Sequence, residues 1–418
     1  MIEKIKVSIK NIDEKLNRIY FFVQDTKGNA KASIRYIYEM ALTLKNNGHN
    51  VIMLYEKKEY TPVTSWLKGS YDELQHQTLE GQNLAIAPED VLVIPEIFGF
   101  IMEQVKNLPC GKIVLCQAYD HILETLSPGG TWEQYGFFKC ITTSEEQKDY
   151  INSLMRHVSV DIIEPTIHEN FETSKFPAKT LIGVSAREQR EGLNIIKQFY
   201  LKYPQYRFFT FKDLRGLSQD DFSKGLQDCL LGVWIDPTSG FGTFPLECMK
   251  SGVPVVGKIP NLKPGWMSEK NGIWIENQNQ MVDVIADVVQ TWLEDNVLAD
   301  LYTEGFNTAE KFTNQENFKT SVIDIFESFI NNVNQIKNGS VTKVISQIGI
   351  GDIKVMDDYD AVKQAFDKGV SNEEKSFDKL LSKFESILEY YDQPGLTAQS
   401  IKTLYTPCLL YTSDAADE

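Results

Sequence analysis

The chain has 418 residues, 42% of them hydrophobic and 24% charged, which is enough for two ordinary domains with full cores. Its formal charge of −16, with no clustered Lys/Arg stripe, disfavours a long nucleic-acid partner. No apolar run approaches the roughly 20 residues that span a bilayer, and residues 1–22 lack the uninterrupted apolar core of a secretory signal, so a cytoplasmic protein without a transmembrane segment is expected.

Read in order, the first half alternates strands and helices. Ile19–Gln24 (IYFFVQ) has the length and aromatic richness of a buried strand. A polar turn, Asp25–Asn29, leads into a helix over Ser33–Asn47, whose apolar residues fall on one face and which Gly48 stops. Val51–Tyr55 is the next strand. Strand, loop, helix and strand in that order open a doubly wound parallel sheet. Further strands are predicted at Val91–Pro95, Lys112–Gln117, Cys140–Thr143 and Val158–Ile163, with a Ser-capped helix over Ser144–Met155. The polar stretch 164–179 reads as a linker.

A second alternating set follows. Strands are expected at Thr180–Val184, Tyr206–Phe211, Leu231–Ile235 and Val253–Gly257, and helices near Gly192–Tyr203, Asp220–Asp228 and Phe244–Ser251. Amphipathic helices over Gln280–Leu293 and Asn314–Val333 are expected to close this second domain. Beyond Asn338, the spacing of Phe377, Leu380, Leu381, Phe384, Ile387, Leu388 and Tyr391 predicts a helix over Glu373–Tyr391. Residues 408–418 (CLLYTSDAADE) read as a translated sequencing-library adaptor, with the natural chain cut near Pro407, and are set aside. The six cysteines show no CxxC spacing and the five histidines no metal-ligand spacing, so buried thiols and no metal site are expected.

The richest segment is 236–257, DPTSGFGTFPLECMKSGVPVVG. Gly240 and Gly242 allow a tight turn and a close backbone approach. Pro245 suits a first helical turn and Gly252 a helix end. Such a helix start offers free N–H groups and a positive dipole end, suited to a diphosphate. Glu247 has the lone pairs to accept from two vicinal hydroxyls.

The segment resembles the donor site of the retaining GT-B glycosyltransferases of family four. There a Gly-Phe-Gly turn enters a helix carrying a ribose-binding Glu and returns through Gly-x-Pro-Val-Val. The resemblance spans residues 18–333 and is strong only over 236–257. It implies an α/β chain of GT-B type, with two Rossmann-like parallel-sheet domains facing an interdomain cleft. Residues 1–172 would form the acceptor domain and 178–335 the donor domain, followed by a helical extension over 336–407.

Carried over residue by residue, the resemblance makes Ser239, Gly240, Phe241, Gly242, Thr243 and Glu247 the donor-binding set. Ser239 stands where the family often has a second Glu, and so offers a hydroxyl without charge. The family's basic pair falls in Ser185–Gly192; Glu191 stands where Lys is common, so Arg187 and Arg190 become the candidates for the leaving diphosphate. The strand end Lys112–Asp120 is similar to a Gln-Asn strand end in capsule and rhamnan-type members, with Ala118 replacing the Asn. Asp120 is then a catalytic candidate, and Gln117, Tyr119 and His121, with Gly28 and Asn29 of the first turn, are expected to line the acceptor side. A solvated charge cluster, ordinary turns and core packing are the plainer readings of these weaker positions.

The function implied is sugar transfer from a nucleotide diphosphate sugar to a glycan, lipid-linked or protein acceptor, with retention, without metal, and with no cofactor besides the donor. A non-catalytic nucleotide-sugar-binding protein and a GT-B epimerase are the alternatives.

Overall fold

The structure, a computed structural model, describes residues 7–8, 17–80, 84–127, 129–173, 180–295 and 298–337. They belong to one unit, Met1–Ile350. The expected helix over Glu373–Tyr391 and the adaptor-like residues 408–418 lie outside the described residues.

Two all-parallel sheets organise the unit. β1 (Val7–Ser8) and β5 (Leu84–Ala85) make a separate short pair. The first large sheet holds β2 (Arg18–Val23), β3 (Asn50–Tyr55), β4 (Gln75–Thr78), β6 (Val91–Pro95), β7 (Gly111–Cys116), β8 (Lys139–Thr142) and β9 (Ser159–Ile162), in the order β4-β3-β2-β6-β7-β8-β9. The second holds β10 (Leu181–Ala186), β11 (Thr210–Asp213), β12 (Cys229–Ile235), β13 (Val255–Lys258) and β14 (Ile273–Ile275), in the order β11-β10-β12-β13-β14. In each, the chain starts in the middle and reverses direction across the sheet, which leaves a crevice at the strands' carboxyl ends.

Side-chain alternation along the strands splits each core in two. Ile19, Phe21 and Val23 of β2 enter one cluster with α1 (Ala32–Asn46). Tyr20 and Phe22 enter the other, beneath α2 (Gly99–Gln104), α3 (Asp120–Thr125) and α4 (Glu145–Leu154). In the second sheet, Ile182, Val184, Val233 and Ile235 pack with α5 (Gln189–Lys202) and α8 (Met281–Asp295). Cys229, Trp234 and Val255 pack on the opposite side with α7 (Thr243–Lys250), beyond α6 (Gln219–Gln227). Cys116, Cys140, Cys229 and Cys248 are buried, as expected, and Cys110 is half-buried.

Most expected elements fall within two residues of their places. Three differences have physical causes. The predicted strand Tyr206–Phe211 begins later, at Thr210, because Pro204–Tyr206 forms a 3-10 turn that packs its aromatics on Phe199. β4 escaped notice because its sequence, QHQT, is polar and lies at the sheet edge. α9 (Ala299–Glu310) was also unforeseen.

The third difference with a physical cause concerns α10 (Gln315–Lys337). This last helix was expected on the second domain, but it crosses back to the first: Phe326 sits 5.8 Å from Phe21, and Phe318 5.9 Å from Tyr36, centroid to centroid. Amphipathic spacing shows that one face is buried without naming its partner. Among the described residues no helix is long and apolar enough to cross a membrane.

Candidate functional site

The loops after the strands' carboxyl ends meet one another. Ala30, after β2, pairs in antiparallel fashion with Gly216, after β11. Ser144, after β8, donates its hydroxyl to the Gly240 carbonyl at 3.0 Å. Lys68 pairs with Asp220. Between the two sheets lies a cavity of about 200 Å³. Lys31, Arg35 and Trp66 wall it from the first domain, and Ser185, Arg215, Thr243 and Glu247 from the second, with Phe171, Phe222 and Phe244 adding apolar surface. An apolar pocket with a few convergent polar groups is how small-molecule sites are built.

The residues of the glycine-rich motif divide. Thr243, the first residue of α7, and Glu247, one turn on, line the cavity. Gly240, Phe241 and Gly242 are packed against protein instead. A Cβ at Gly240 would overlap the side chain of Gln147, a fully buried residue of α4. Phe241 packs edge-on against Phe312, and its carbonyl accepts from Trp266 Nε1 at 2.8 Å. Gly242 caps α7 at φ +82°, in the left-handed region, with Trp266 and Trp234 against it. The glycines thus serve a close approach, as their chemistry requires, but what approaches is the other domain and two indoles. Of the expected donor-binding set, Thr243 and Glu247 therefore line the cavity, while Gly240, Phe241 and Gly242 form the packed turn that leads into their helix. Ser239 sits half-buried on the turn, its N–H donating to the Asp236 carbonyl at 3.4 Å.

Glu247 is buried and faces Arg35 of α1, whose Nη1 stands 3.3 Å from its Oε1. Burial raises the carboxyl's pKa and Arg35 opposes the rise. Burial by itself would lower the Arg35 pKa, yet Glu39 and Glu247 together carry it above its ordinary value.

A second group of charges spans the cleft beside this cavity. Arg187, at the end of β10, donates Nη2–H to Asp120 Oδ2 at 2.7 Å and lies 3.6 Å from Asp236 Oδ1. The same nitrogen is 3.4 Å from His121 Nε2, while His121 Nδ1 bonds Glu124 Oε2 at 2.9 Å. A guanidinium can only donate and a carboxylate accepts, so these partners suit an accepting Nε2 and a donating Nδ1. The predicted Arg187, Asp120 and His121 therefore come together, and Asp236, unforeseen as a site residue, joins them. Burial raises Asp236, with Arg187 opposing.

Asp120, His121 and Glu124 also place ligand atoms within 4.8 Å of one another. Asp120 Oδ2 is already bonded to the Arg187 guanidinium, a positive charge beside these atoms that works against a cation there.

The remaining candidates scatter. Arg190 lies exposed on the first turn of α5, away from this cluster's bonds. Arg215 takes the cavity position instead, held by Asp213 (Nη2 to Oδ2, 2.6 Å) and by the Ala186 carbonyl (2.8 Å). Gln117 ties β7 to α1 through the Ser33 carbonyl at 3.2 Å. Tyr119 is buried edge-on against Tyr150. Gly28, at φ +81°, and Asn29, bonded to the Thr26 carbonyl, shape the turn that brings Ala30 to Gly216.

Sequence reasoning also missed Glu96, which follows β6. It is buried, and its Oε1 accepts the Ala118 N–H at 3.0 Å, so the loop presenting Tyr119, Asp120 and His121 hangs from its carboxylate. Burial pushes it up to about 7, although backbone N–H groups pull the other way. The available signal was an acid placed directly after an apolar strand, where such side chains meet the crevice.

No family model and no curated protein matches the chain. Solved structures do. A sucrose-phosphate synthase from Thermosynechococcus elongatus superposes with a TM-score of 0.56 at 11% identity, covering 75% of this chain and 99% of that one. HepE from Anabaena, solved with UDP and glucose, gives 0.55 at 11% identity, with 74% and 99% covered. TarM gives 0.53 at 11% identity, with 77% and 100% covered. At such identities the likeness is one of fold. Two parallel Rossmann-like sheets meeting at their carboxyl ends, with a last helix returning to the first, give this chain the GT-B fold and its resemblance to GT-B glycosyltransferases.

Proposed function

We propose that the chain is a glycosyltransferase that moves a sugar from a nucleotide diphosphate carrier to a glycan, lipid-linked or protein acceptor. One observation carries this reading: Glu247, the motif's ribose-binding candidate, lies on the wall of a cavity between the two domains, with Thr243 at the start of its helix and Arg215 also on the wall. HepE, of the same fold, was solved with UDP and glucose, and the pneumococcal O-GlcNAc transferase GtfA with UDP and GlcNAc.

The roles follow from the chemistry. Glu247 accepts from the two ribose hydroxyls. Arg215 and Lys31 supply the positive charge that a diphosphate needs. As the glycosidic bond breaks, negative charge grows on the leaving phosphate. A fixed cation stabilises that charge more than it stabilises the intact donor, and this difference is catalysis. Arg187, bonded to Asp120 across the cleft and beside Asp236 of its own domain, serves the transferring end, with Asp120 and His121 on the acceptor side. The diphosphate oxygens can take the acceptor's proton, which suits retention and needs no metal.

Ser239 favours a second reading, a nucleotide-sugar-binding protein without turnover, because it brings no carboxylate to the sugar. Thermal melting with UDP-, GDP- and ADP-sugars tests the site, since a specific ligand at about 100 times its Kd adds roughly 2.7 kcal/mol of stability. One of these donors is expected to raise Tm, and Glu247→Ala to abolish the rise. An equal rise in the variant removes Glu247 from the site. Donor hydrolysis or transfer by the wild type then separates the enzyme from the binder.

A further inference from the structure

Arg35 belongs to the first domain, yet it completes a residue of the second. Its three guanidinium nitrogens each have a neighbour: Nη1 donates to Glu247 Oε1 at 3.3 Å, Nη2 to the Thr166 carbonyl at 3.0 Å, and Nε faces Glu39 Oε1 at 3.5 Å. Arg35, Thr166 and Glu247 are buried, and Arg35 and Glu247 both line the cavity. A planar guanidinium held on three sides is a fixed cation with little freedom to swing.

The pair is a costly way to hold two domains together. Taking both charges out of water offsets most of their attraction, so a buried ion pair is weak evidence of a stabilising role. Here two carboxylates, Glu39 and Glu247, face one guanidinium, a surplus of negative charge that apolar packing would avoid. The arrangement makes sense if a charged Glu247 is needed at the cavity wall. An ionised carboxylate can accept from both hydroxyls of a vicinal diol; a protonated one has given up part of that capacity to its own proton. Arg35 bonds one of roughly four accepting positions on Glu247 and leaves room for the diol.

We propose that Arg35 is a positioning residue for the nucleotide: from the first domain it holds Glu247 of the second ionised and aimed, so the ribose-binding carboxylate is complete only while the two domains are closed on each other. The proposal rests on the reading of this cavity as a nucleotide-sugar site. It makes donor affinity a measure of domain closure, because opening the cleft strips Glu247 of its counter-charge. The titratable groups around the pair are Glu39 on α1, Tyr71 beside Arg35, His168 in the segment joining the sheets, and Cys248 on α7. Burial lowers His168, which keeps it neutral down through its ordinary range, and burial raises Cys248; Glu39 and Glu247 are both raised by burial, and Arg35 opposes the rise in each.

The test is calorimetric titration of the full chain with UDP-glucose, GDP-mannose and ADP-glucose. The tightest binder is then carried to Arg35→Lys, Arg35→Met and Glu247→Ala between about pH 6 and about pH 9, a range across which ordinary carboxylates stay ionised. Wild type and Arg35→Lys should bind with a flat profile. Arg35→Met should bind roughly thirtyfold more weakly at the acid end, as when a buried charge loses its partner, and recover as rising pH ionises Glu247. Titrating the wild type in two buffers of different ionisation enthalpy should show no proton exchanged on binding, a readout that stands even if Arg35→Met does not fold. A flat Arg35→Met profile at wild-type affinity, or about one proton released by the wild type, overturns the inference and leaves the nucleotide site standing. If none of the three donors binds, or Glu247→Ala binds as the wild type does, the site reading itself falls and takes the inference with it.

Discussion

At Glu96, burial and hydrogen bonding pull in opposite directions. Burial is the larger effect and lifts the carboxyl from its ordinary 4.5 to about 7, against the backbone N–H groups of residues 117 and 118 that favour the charged form. An acid raised on folding binds its proton more tightly in the native state. The native state is therefore not penalised below the unfolded value, loses stability as pH climbs from about 4 to about 7, and carries the full penalty above that. Glu96→Gln removes the charge and keeps an acceptor for the Ala118 N–H. We expect it to be roughly 2–3 kcal/mol more stable than the wild type at about pH 8 and nearly equal at about pH 4, read from denaturant unfolding. An equal difference at both ends would mean that Glu96 does not titrate in this window. The residue was present in the sequence as an acid after VLVIP, but its burial was not, because that depends on other strands, among them those carrying Cys116 and Cys140, coming close to it.

Helix α4 shows an element whose start was legible and whose purpose was not. Ser144 was expected to cap it, and the Oγ does accept from the Gln147 N–H at 3.3 Å. The same hydroxyl donates across the cleft to Gly240, and Gln147 covers that glycine's open side. One helix start thus grips the glycine-rich turn of the other domain. Losing the cap costs about 1 kcal/mol, and leaving a buried carbonyl without its donor adds about as much. Ser144→Ala should therefore lower the unfolding free energy by about 2 kcal/mol, read as a lower denaturant midpoint at unchanged m-value. A loss of a few tenths of a kcal/mol would mean that the bond to Gly240 contributes little. Gly240 itself illustrates a general ambiguity. The absence of a side chain announces a close approach, and only the fold says whether substrate or protein makes it.

Across the whole molecule, the two sheets are joined both at the cleft and by α10. Phe326, fully buried, carries the last helix into the core of the first domain, against a strand that begins some three hundred residues earlier. Phe326→Ala should cost about 3–5 kcal/mol. Hydrogen exchange locates the damage: faster exchange is expected in β2 and α1, with β12 and α7 unchanged. Acceleration confined to β12 and α7 would show that α10 stabilises the second domain instead.

By itself the sequence determined which segments become strands and helices in the two halves, that both sheets are parallel and doubly wound, and that residues 236–257 hold the densest chemistry. Those properties are local: hydrophobic period, caps and glycine placement act over a few residues, and a single chain displays them directly. The tertiary structure decided that Arg35 meets Glu247, 212 residues away, that Arg215 rather than Arg190 reaches the cavity, and that Gln147 fills the space over Gly240. Each of these is a choice of partner, and a partner is selected by packing between segments far apart in the chain, on which the spacing of either segment is silent.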